Sequence, residues 1–180
     1  FGIGTLPLAI FGSEALKGRY LPSLASGERI GAYALTEPDA GSDALAVRTC
    51  ATRAPGGDFV LDGRKQFITN AGIAGLYTVF AKVDGEAFTA FLVPAETAGV
   101  QAGAPEKKMG LRGSPTAPLS LDGVRVPGDH VIGEIGKGSR VAFNVLNVGR
   151  MKLAFGSLGY ARDALRFAAE YAQERHQFGK

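Results

Sequence analysis

The 180-residue chain has one cysteine, two histidines and no apolar run long enough to cross a bilayer. Each shortage excludes a class of function. A lone Cys50 rules out an internal disulfide framework and suits a reducing compartment, where a small buried residue beside Thr49 is its simplest role. His130 and His176 stand far apart, and neither belongs to a cluster with metal-ligand spacing, so no metal site is expected. The longest apolar stretches, such as Leu6–Phe11 and Leu76–Ala81, fall well short of the roughly 20 residues of a transmembrane helix. The formal charge is +3, yet the 20 basic residues are scattered, with Arg64-Lys65 and Lys107-Lys108 the adjacent pairs. Without a basic stripe interleaved with aromatics, nucleic acid is not an expected partner.

What is present is ordinary for a soluble globular protein: 46% hydrophobic and 21% charged residues. This length can bury a core and suits one domain or two small ones. The chain opens on Phe1-Gly2-Ile3, inside an apolar pattern, without an initiator Met or a basic-then-apolar leader. It closes as abruptly on His176-Gln177-Phe178-Gly179-Lys180. The expectation is a piece of a longer protein.

Three regions follow from periodicity. Residues 1–30 read as short helices, with Leu6, Ala9, Ile10 and then Leu16, Tyr20, Leu21 at helical spacing. Gly12 and Ser13 mark the break, Ser13 is a candidate helix cap, and Pro22 a candidate boundary. From Tyr33 to about Pro127 the period becomes two, with strands expected over Val47–Arg53, Phe59–Leu61, Lys65–Ile68, Thr78–Val83, Phe88–Val93, Pro118–Leu121 and Val124–Val126. Asp-Gly pairs at Asp62, Asp84 and Asp122 lie between such strands and signal hairpins, hence a mostly antiparallel, barrel-like β-domain. A Pro-free helical pattern then runs from Ser139 to Arg175, too long to be buried by a small barrel and suited to a helical bundle. Gly149, Gly156 and Gly159 cost it helix propensity, which close packing would explain.

The densest chemical signal is Tyr33 to Asp43, YALTEPDAGSD. An apolar strand stops at Thr36-Glu37-Pro38, because Pro38 cannot donate to a ladder and biases Glu37 away from helix. Asp39-Ala40-Gly41-Ser42 then offers a small-residue turn with free amides, flanked by the hydroxyls of Thr36 and Ser42. Such a turn can wrap closely around a phosphate or a polar heterocycle.

Taken with Tyr20-Leu21-Pro22-Ser23-Leu24-Ala25-Ser26-Gly27-Glu28, Lys65-Gln66-Phe67-Ile68-Thr69-Asn70, Glu106-Lys107-Lys108-Met109-Gly110, Asp122-Gly123-Val124-Arg125-Val126-Pro127, Gly149-Arg150 and Arg175-His176-Gln177-Phe178-Gly179, this wording resembles the acyl-CoA dehydrogenase family. The likeness covers essentially the whole chain and is strongest to the long-chain and very-long-chain branch. It implies an α+β multidomain fold: 1–30 as the end of an N-terminal helical domain, 31–134 as a central β-domain, and 135–180 as the start of a C-terminal four-helix bundle.

The resemblance also implies chemistry: α,β-dehydrogenation of fatty acyl-CoA thioesters, with a carboxylate taking the α-proton and the β-hydrogen leaving as hydride to FAD. Electrons would pass to an electron-transferring flavoprotein. Matching positions imply that Tyr33, Leu35 and Thr36 line the flavin, that Gly41 and Ser42 sit at its pyrophosphate, and that Phe67, Ile68 and Thr69 flank the ring. Relatives often carry Trp where Phe67 stands. Ser42, Asn147 and Arg150 would meet substrate CoA, and Arg175 the FAD of a neighbouring subunit, in a homodimer or homotetramer. The base is expected beyond Lys180, since the alternative position, just before Arg150, is Gly149. Glu37 belongs to the flavin loop, while Glu170 and Glu174 look like solvated helix charges.

Other readings are weaker. Gly133-Glu134-Ile135-Gly136-Lys137-Gly138-Ser139 is not a P-loop, because Gly138 separates the lysine from the serine. An acyl-CoA oxidase would use the same groups, and a non-catalytic binding or assembly subunit would share the fold. The expected location is cytoplasmic for a bacterial protein and the mitochondrial matrix for a eukaryotic one.

Overall fold

The computed structural model describes residues 2–179. Two short helices come first, α1 (Leu6–Phe11) and α2 (Glu14–Ser26). Ser13 caps α2 as its spacing predicts, its hydroxyl accepting from the Leu16 N–H at 3.2 Å. Pro22 is not a boundary: it lies inside α2, which runs on to Ser26 and stops at Gly27 in the left-handed region, φ 83°. The carbonyl that Pro22 leaves without a helical donor belongs to Gly18, which carries no side chain to crowd the turn.

Eight strands follow: β1 (Gly31–Ala34), β2 (Cys50–Arg53), β3 (Phe59–Thr69), β4 (Leu76–Val83), β5 (Ala87–Pro94), β6 (Val100–Ala102), β7 (Thr116–Val126) and β8 (Val131–Ile132). They form one sheet in the order β6-β7-β3-β2-β4-β5-β8, with β1 also paired to β4. Most pairings are antiparallel, but β1 and β2 both run parallel to β4. The expected barrel is not closed, because the sheet ends on the short strands β6 and β8. Edges of three and two residues offer little for another chain to pair with.

The Asp-Gly pairs divide. Asp84-Gly85 makes the β4–β5 hairpin, with φ of 53° and 80° at successive residues as a type I′ turn needs. Asp62-Gly63 and Asp122-Gly123 are interior to β3 and β7, where the register slips between Leu61 and Gly63. Two residues of β7 there oppose one of β3, a β-bulge, and the Gly123 amide donates to the Asp62 carboxylate at 2.7 Å. The pairs of strands expected on either side of each are therefore single strands. The strand expected from Val47 begins only at Cys50, after a 3-10 turn at Ala44–Ala46.

The core shows why β4 reads as a nearly continuous apolar run. Tyr77, Val79, Ala81 and Val83 face a cluster with Phe59, Leu61, Phe91 and Leu119. Leu76, Thr78 and Phe80, of opposite parity, are buried as well, so the strand is covered on both faces. Thr78 is fully buried and its hydroxyl has no partner among the described residues. Thr78→Val keeps the shape and removes the unpaired group, so it is expected to stabilise by about 1 kcal/mol. A higher urea midpoint with unchanged slope would show it. A lower midpoint would mean that the hydroxyl has a partner.

A 37-residue helix, α3 (Gly138–Glu174), matches the expected Pro-free run to within a residue at each end. The chain divides into two compact units after Val145. Within the first, Val141, Ala142 and Val145 of α3 are buried. In the second, the large apolar side chains Leu153, Phe155, Leu158, Leu165 and Phe167 are each at least 60% exposed. Among the described residues no helix is long and apolar enough to cross a membrane, and no cluster of His, Cys, Asp and Glu could hold a metal.

Candidate functional site

Two segments of the first unit meet where the sequence places its chemistry. One is the exit of β1, Leu35 to Ser42; the other is the end of β3. The Gln66 N–H donates to the Thr36 carbonyl at 2.8 Å and joins them. Between Lys65 and Ile68 the β3–β7 register slips again, this time with the extra residue on β3. That bulge puts Phe67 at φ 57°, an uncommon conformation for a bulky residue. Its ring is thrown outward and is 61% exposed, while Ile68 beside it is buried in the core. Strain of this kind, at roughly 1–3 kcal/mol, persists where the surroundings over-determine it and points to a working surface.

The loop is held as tightly. Glu37 and Ala40 exchange backbone hydrogen bonds at 3.0 and 3.2 Å across the Pro38-Asp39 turn. Gly41 and Ser42 follow, both exposed. The hydroxyls of Thr36, Ser42 and Thr69 have no hydrogen-bond partner among the described residues. Tyr33 differs: its ring packs on Phe80 at 5.1 Å and its hydroxyl donates to the Ala142 carbonyl at 3.2 Å. Burial pushes that phenol well above its ordinary range, so it stays neutral. Leu35 is buried, and its carbonyl accepts from the Lys65 ammonium at 3.3 Å.

The sequence reading missed the hub beneath this surface. Lys65 is fully buried and its Nζ donates to Glu37 Oε1 at 2.7 Å and to the Phe80 carbonyl at 2.6 Å, besides Leu35. The same Glu37 oxygen accepts from the Thr49 N–H at 3.0 Å and hydroxyl at 2.5 Å, and Oε2 accepts from the Arg48 N–H at 2.6 Å. Burial pushes the Glu37 carboxyl up, but these donors, led by Lys65, outweigh it and hold the group below its ordinary value. Burial pulls Lys65 down to about 8 against the attraction of Glu37. Glu37 is thus held ionised, buried and bonded through both oxygens to Lys65, Thr49 and Arg48. The legible signal was a lysine at the buried parity of β3, in step with Phe59 and Leu61.

In the second unit Asn147 and Arg150 lie on one helix face, as their spacing predicts, and the guanidinium donates to the Asn147 side-chain carbonyl. Gly149 is half-buried on α3 immediately before Arg150 and carries no side chain. Arg175 follows the end of α3, its N–H bonded to the Tyr171 carbonyl at 2.9 Å. Glu170 is exposed and pairs with Arg166 at 3.6 Å.

A cleft of about 500 Å³ elsewhere in the first unit, lined by Arg19, Tyr20, Arg29, Glu96, Arg125 and His130 among others, contains none of the expected residues.

Comparison with known proteins agrees with the resemblance. The family profile described as acyl-CoA dehydrogenase, middle domain, matches residues 32–124, and that of the acyl-CoA dehydrogenase C-terminal domain matches residues 136–180. The chain belongs to the acyl-CoA dehydrogenase family. It is 53% identical over 178 residues to a probable acyl-CoA dehydrogenase of Bacillus subtilis, covering 98% of this chain and 30% of that protein. It is 45% identical over 188 residues to the mitochondrial very long-chain specific acyl-CoA dehydrogenase of Macaca fascicularis, covering 99% of this chain and 29% of that one. The crystal structure of an acyl-CoA dehydrogenase complexed with FAD from Bacillus anthracis superposes with a TM-score of 0.90 at 49% identity, over 99% of this chain and 32% of that one. The chain therefore spans about a third of the length of these family members or less.

Proposed function

We propose that this chain forms the FAD-holding part of an enzyme that dehydrogenates fatty acyl-CoA thioesters to trans-2-enoyl-CoA and passes the electrons to an electron-transferring flavoprotein. The observation that carries the reading is the β3 bulge, which holds Phe67 outward beside the Thr36–Ser42 loop. Family membership supports the cofactor and the reaction class, and the very long-chain relative supports a fatty acyl substrate.

The residues fit a flavin dinucleotide. An exposed aromatic face at Phe67 suits a flat ring, and the hydroxyls of Thr36 and Thr69 are donors without a protein partner among the described residues. Gly41 admits close backbone approach, and the Ser42 hydroxyl suits a pyrophosphate or the CoA moiety. Tyr33, Leu35 and Ile68 contribute backbone shape, since their side chains are engaged or buried. Asn147 pre-orients the Arg150 guanidinium for a charged group of CoA. Arg175 is assigned to the FAD of a neighbouring subunit in a homodimer or homotetramer. When bound, FAD supplies the hydride acceptor. A weakly acidic α-proton requires a polarised thioester and exclusion of water, which the complete enzyme's site would supply. No residue of the 180 is proposed as the base: Glu37 is buried and ion-paired with Lys65, and Gly149 has no side chain. The base is assigned to sequence following Lys180.

The protein expressed from its full reading frame is expected to purify yellow and to bleach anaerobically on addition of a fatty acyl-CoA. The 180-residue chain alone is expected not to turn over. Ser42→Ala is expected to weaken cofactor or CoA binding by about 1 kcal/mol, more if a phosphate oxygen loses its donor. Arg150→Ala is expected to impair substrate-dependent reduction while flavin retention stays near wild type. A colourless protein overturns the reading. A yellow protein that no acyl-CoA bleaches moves it to a binding or assembly subunit, and rapid reoxidation by oxygen moves it to an oxidase.

A further inference from the structure

We infer that the buried Glu37–Lys65 pair, with Thr49, is a positioning device that locks the Thr36–Ser42 loop to the Phe67–Thr69 bulge and so sets the geometry in which the cofactor is held. The inference rests on the proposed FAD site. A buried ion pair is weak evidence for stability, because apolar residues of similar volume do as well or better once desolvation is counted. Its placement gives it another role. Thr36 lies between Leu35 and Glu37, both tied to the Lys65 ammonium, and its own carbonyl is tied to Gln66, the next residue of β3. The bulge opens immediately after Lys65. Glu37 also closes the turn that precedes Gly41 and Ser42, and its carboxylate gathers Arg48 and Thr49 ahead of β2. Four segments are thereby fixed around one charge pair, while the partnerless hydroxyls and the exposed ring stay in front of it. Sites hold ligands well when supporting contacts of this kind lock the contacting groups in advance.

The test compares wild type, Glu37→Gln, Lys65→Met and the milder Thr49→Val, all from the full reading frame, by FAD titration, visible spectrum, midpoint potential and urea unfolding. Glu37→Gln is expected to bind FAD about tenfold more weakly, the effect of one lost charged hydrogen bond, and Thr49→Val a few-fold more weakly. At saturating FAD both are expected to show a shifted long-wavelength flavin band and a shifted potential. Combined with Thr69→Ala, Glu37→Gln is expected to lose less than the product of the two fold-changes, since both act on one flavin contact. Folded variants that are less stable but bind FAD with wild-type affinity, band and potential overturn the inference and leave the pair purely structural. If Lys65→Met does not fold, Thr49→Val decides on the same readouts. A wild type that takes no FAD overturns the proposed function itself, and that failure appears before any variant is made.

Discussion

Lys65→Met is expected to lower the free energy of unfolding by about 3–5 kcal/mol, a large share of the roughly 5–15 kcal/mol typical of a domain. The methionine fills most of the volume of the lysine stem, so lost packing is a minor part. The cost comes from Glu37, which stays buried with its counter-charge gone. Acid separates these causes. In wild type the folded pKa of Glu37 lies below its unfolded value, so its contribution is complete above the ordinary carboxylate range and is lost as pH falls through the folded pKa. In Lys65→Met the strongest lowering influence is absent while burial and the Arg48 and Thr49 donors remain, so the folded pKa lies above that of wild type. The variant therefore has less carboxylate stabilisation to lose in acid, and its deficit relative to wild type shrinks between pH 7 and about pH 4. Lys65→Met combined with Glu37→Gln is expected to cost less than Lys65→Met alone. A deficit under about 1 kcal/mol, or one independent of pH, would assign the role of Lys65 to its stem.

Much of the fold was legible where one local rule decides. Ser13 opens α2 because its hydroxyl can reach the Leu16 amide, and α3 spans the stretch in which no proline intervenes. The β4–β5 hairpin followed from Asp84-Gly85. The other two Asp-Gly pairs misled because a bulge and a type I′ turn both want positive φ, and a dipeptide cannot say which. What separates them is length: β3 and β7 each keep a partner on both sides of the pair, a fact of pairing across some sixty residues. Pro22 misled for a different reason, since Gly18 and the packing of Leu16 and Tyr20 carry α2 through it. Closure of the sheet was unreadable because it depends on the two shortest strands.

The candidate site divides in the same way. Its surface residues were legible as wording, from Thr36, Ser42 and Phe67 to Thr69. The hub was not, because a charged residue in a strand reads as solvated unless its partner is known, and Glu37 lies 28 residues from Lys65. The alternation Phe59, Leu61, Gly63, Lys65 nevertheless placed that lysine on the buried side, and the structure keeps it there. Propensity and burial conflict at this one position of β3, and such conflicts concentrate at working sites.

Gly63→Val joins these threads in one expected result: a loss of about 3–5 kcal/mol, from overpacking and backbone strain together. A Cβ on Gly63 would meet the Thr49 Oγ1 at 2.5 Å and the Thr49 Cα at 2.8 Å, and the second is backbone that no rotamer change can move. Its φ of 156° adds strain for any L side chain. Relief would require β3 to move away from Thr49, the residue whose N–H and hydroxyl hold the Glu37 carboxylate. The damage should therefore spread to the loop: in the full-reading-frame protein, Gly63→Val is expected to lose flavin affinity as well as stability. Gly123→Ala, at the facing bulge, has open space for its Cβ and requires only the positive φ of 59°. It is expected to cost no more than about 1–2 kcal/mol and to leave flavin affinity near wild type. Urea unfolding and FAD titration on the two variants decide the matter. Equal losses of stability with equal flavin binding would show that the Thr49 contact is not what couples the sheet to the loop.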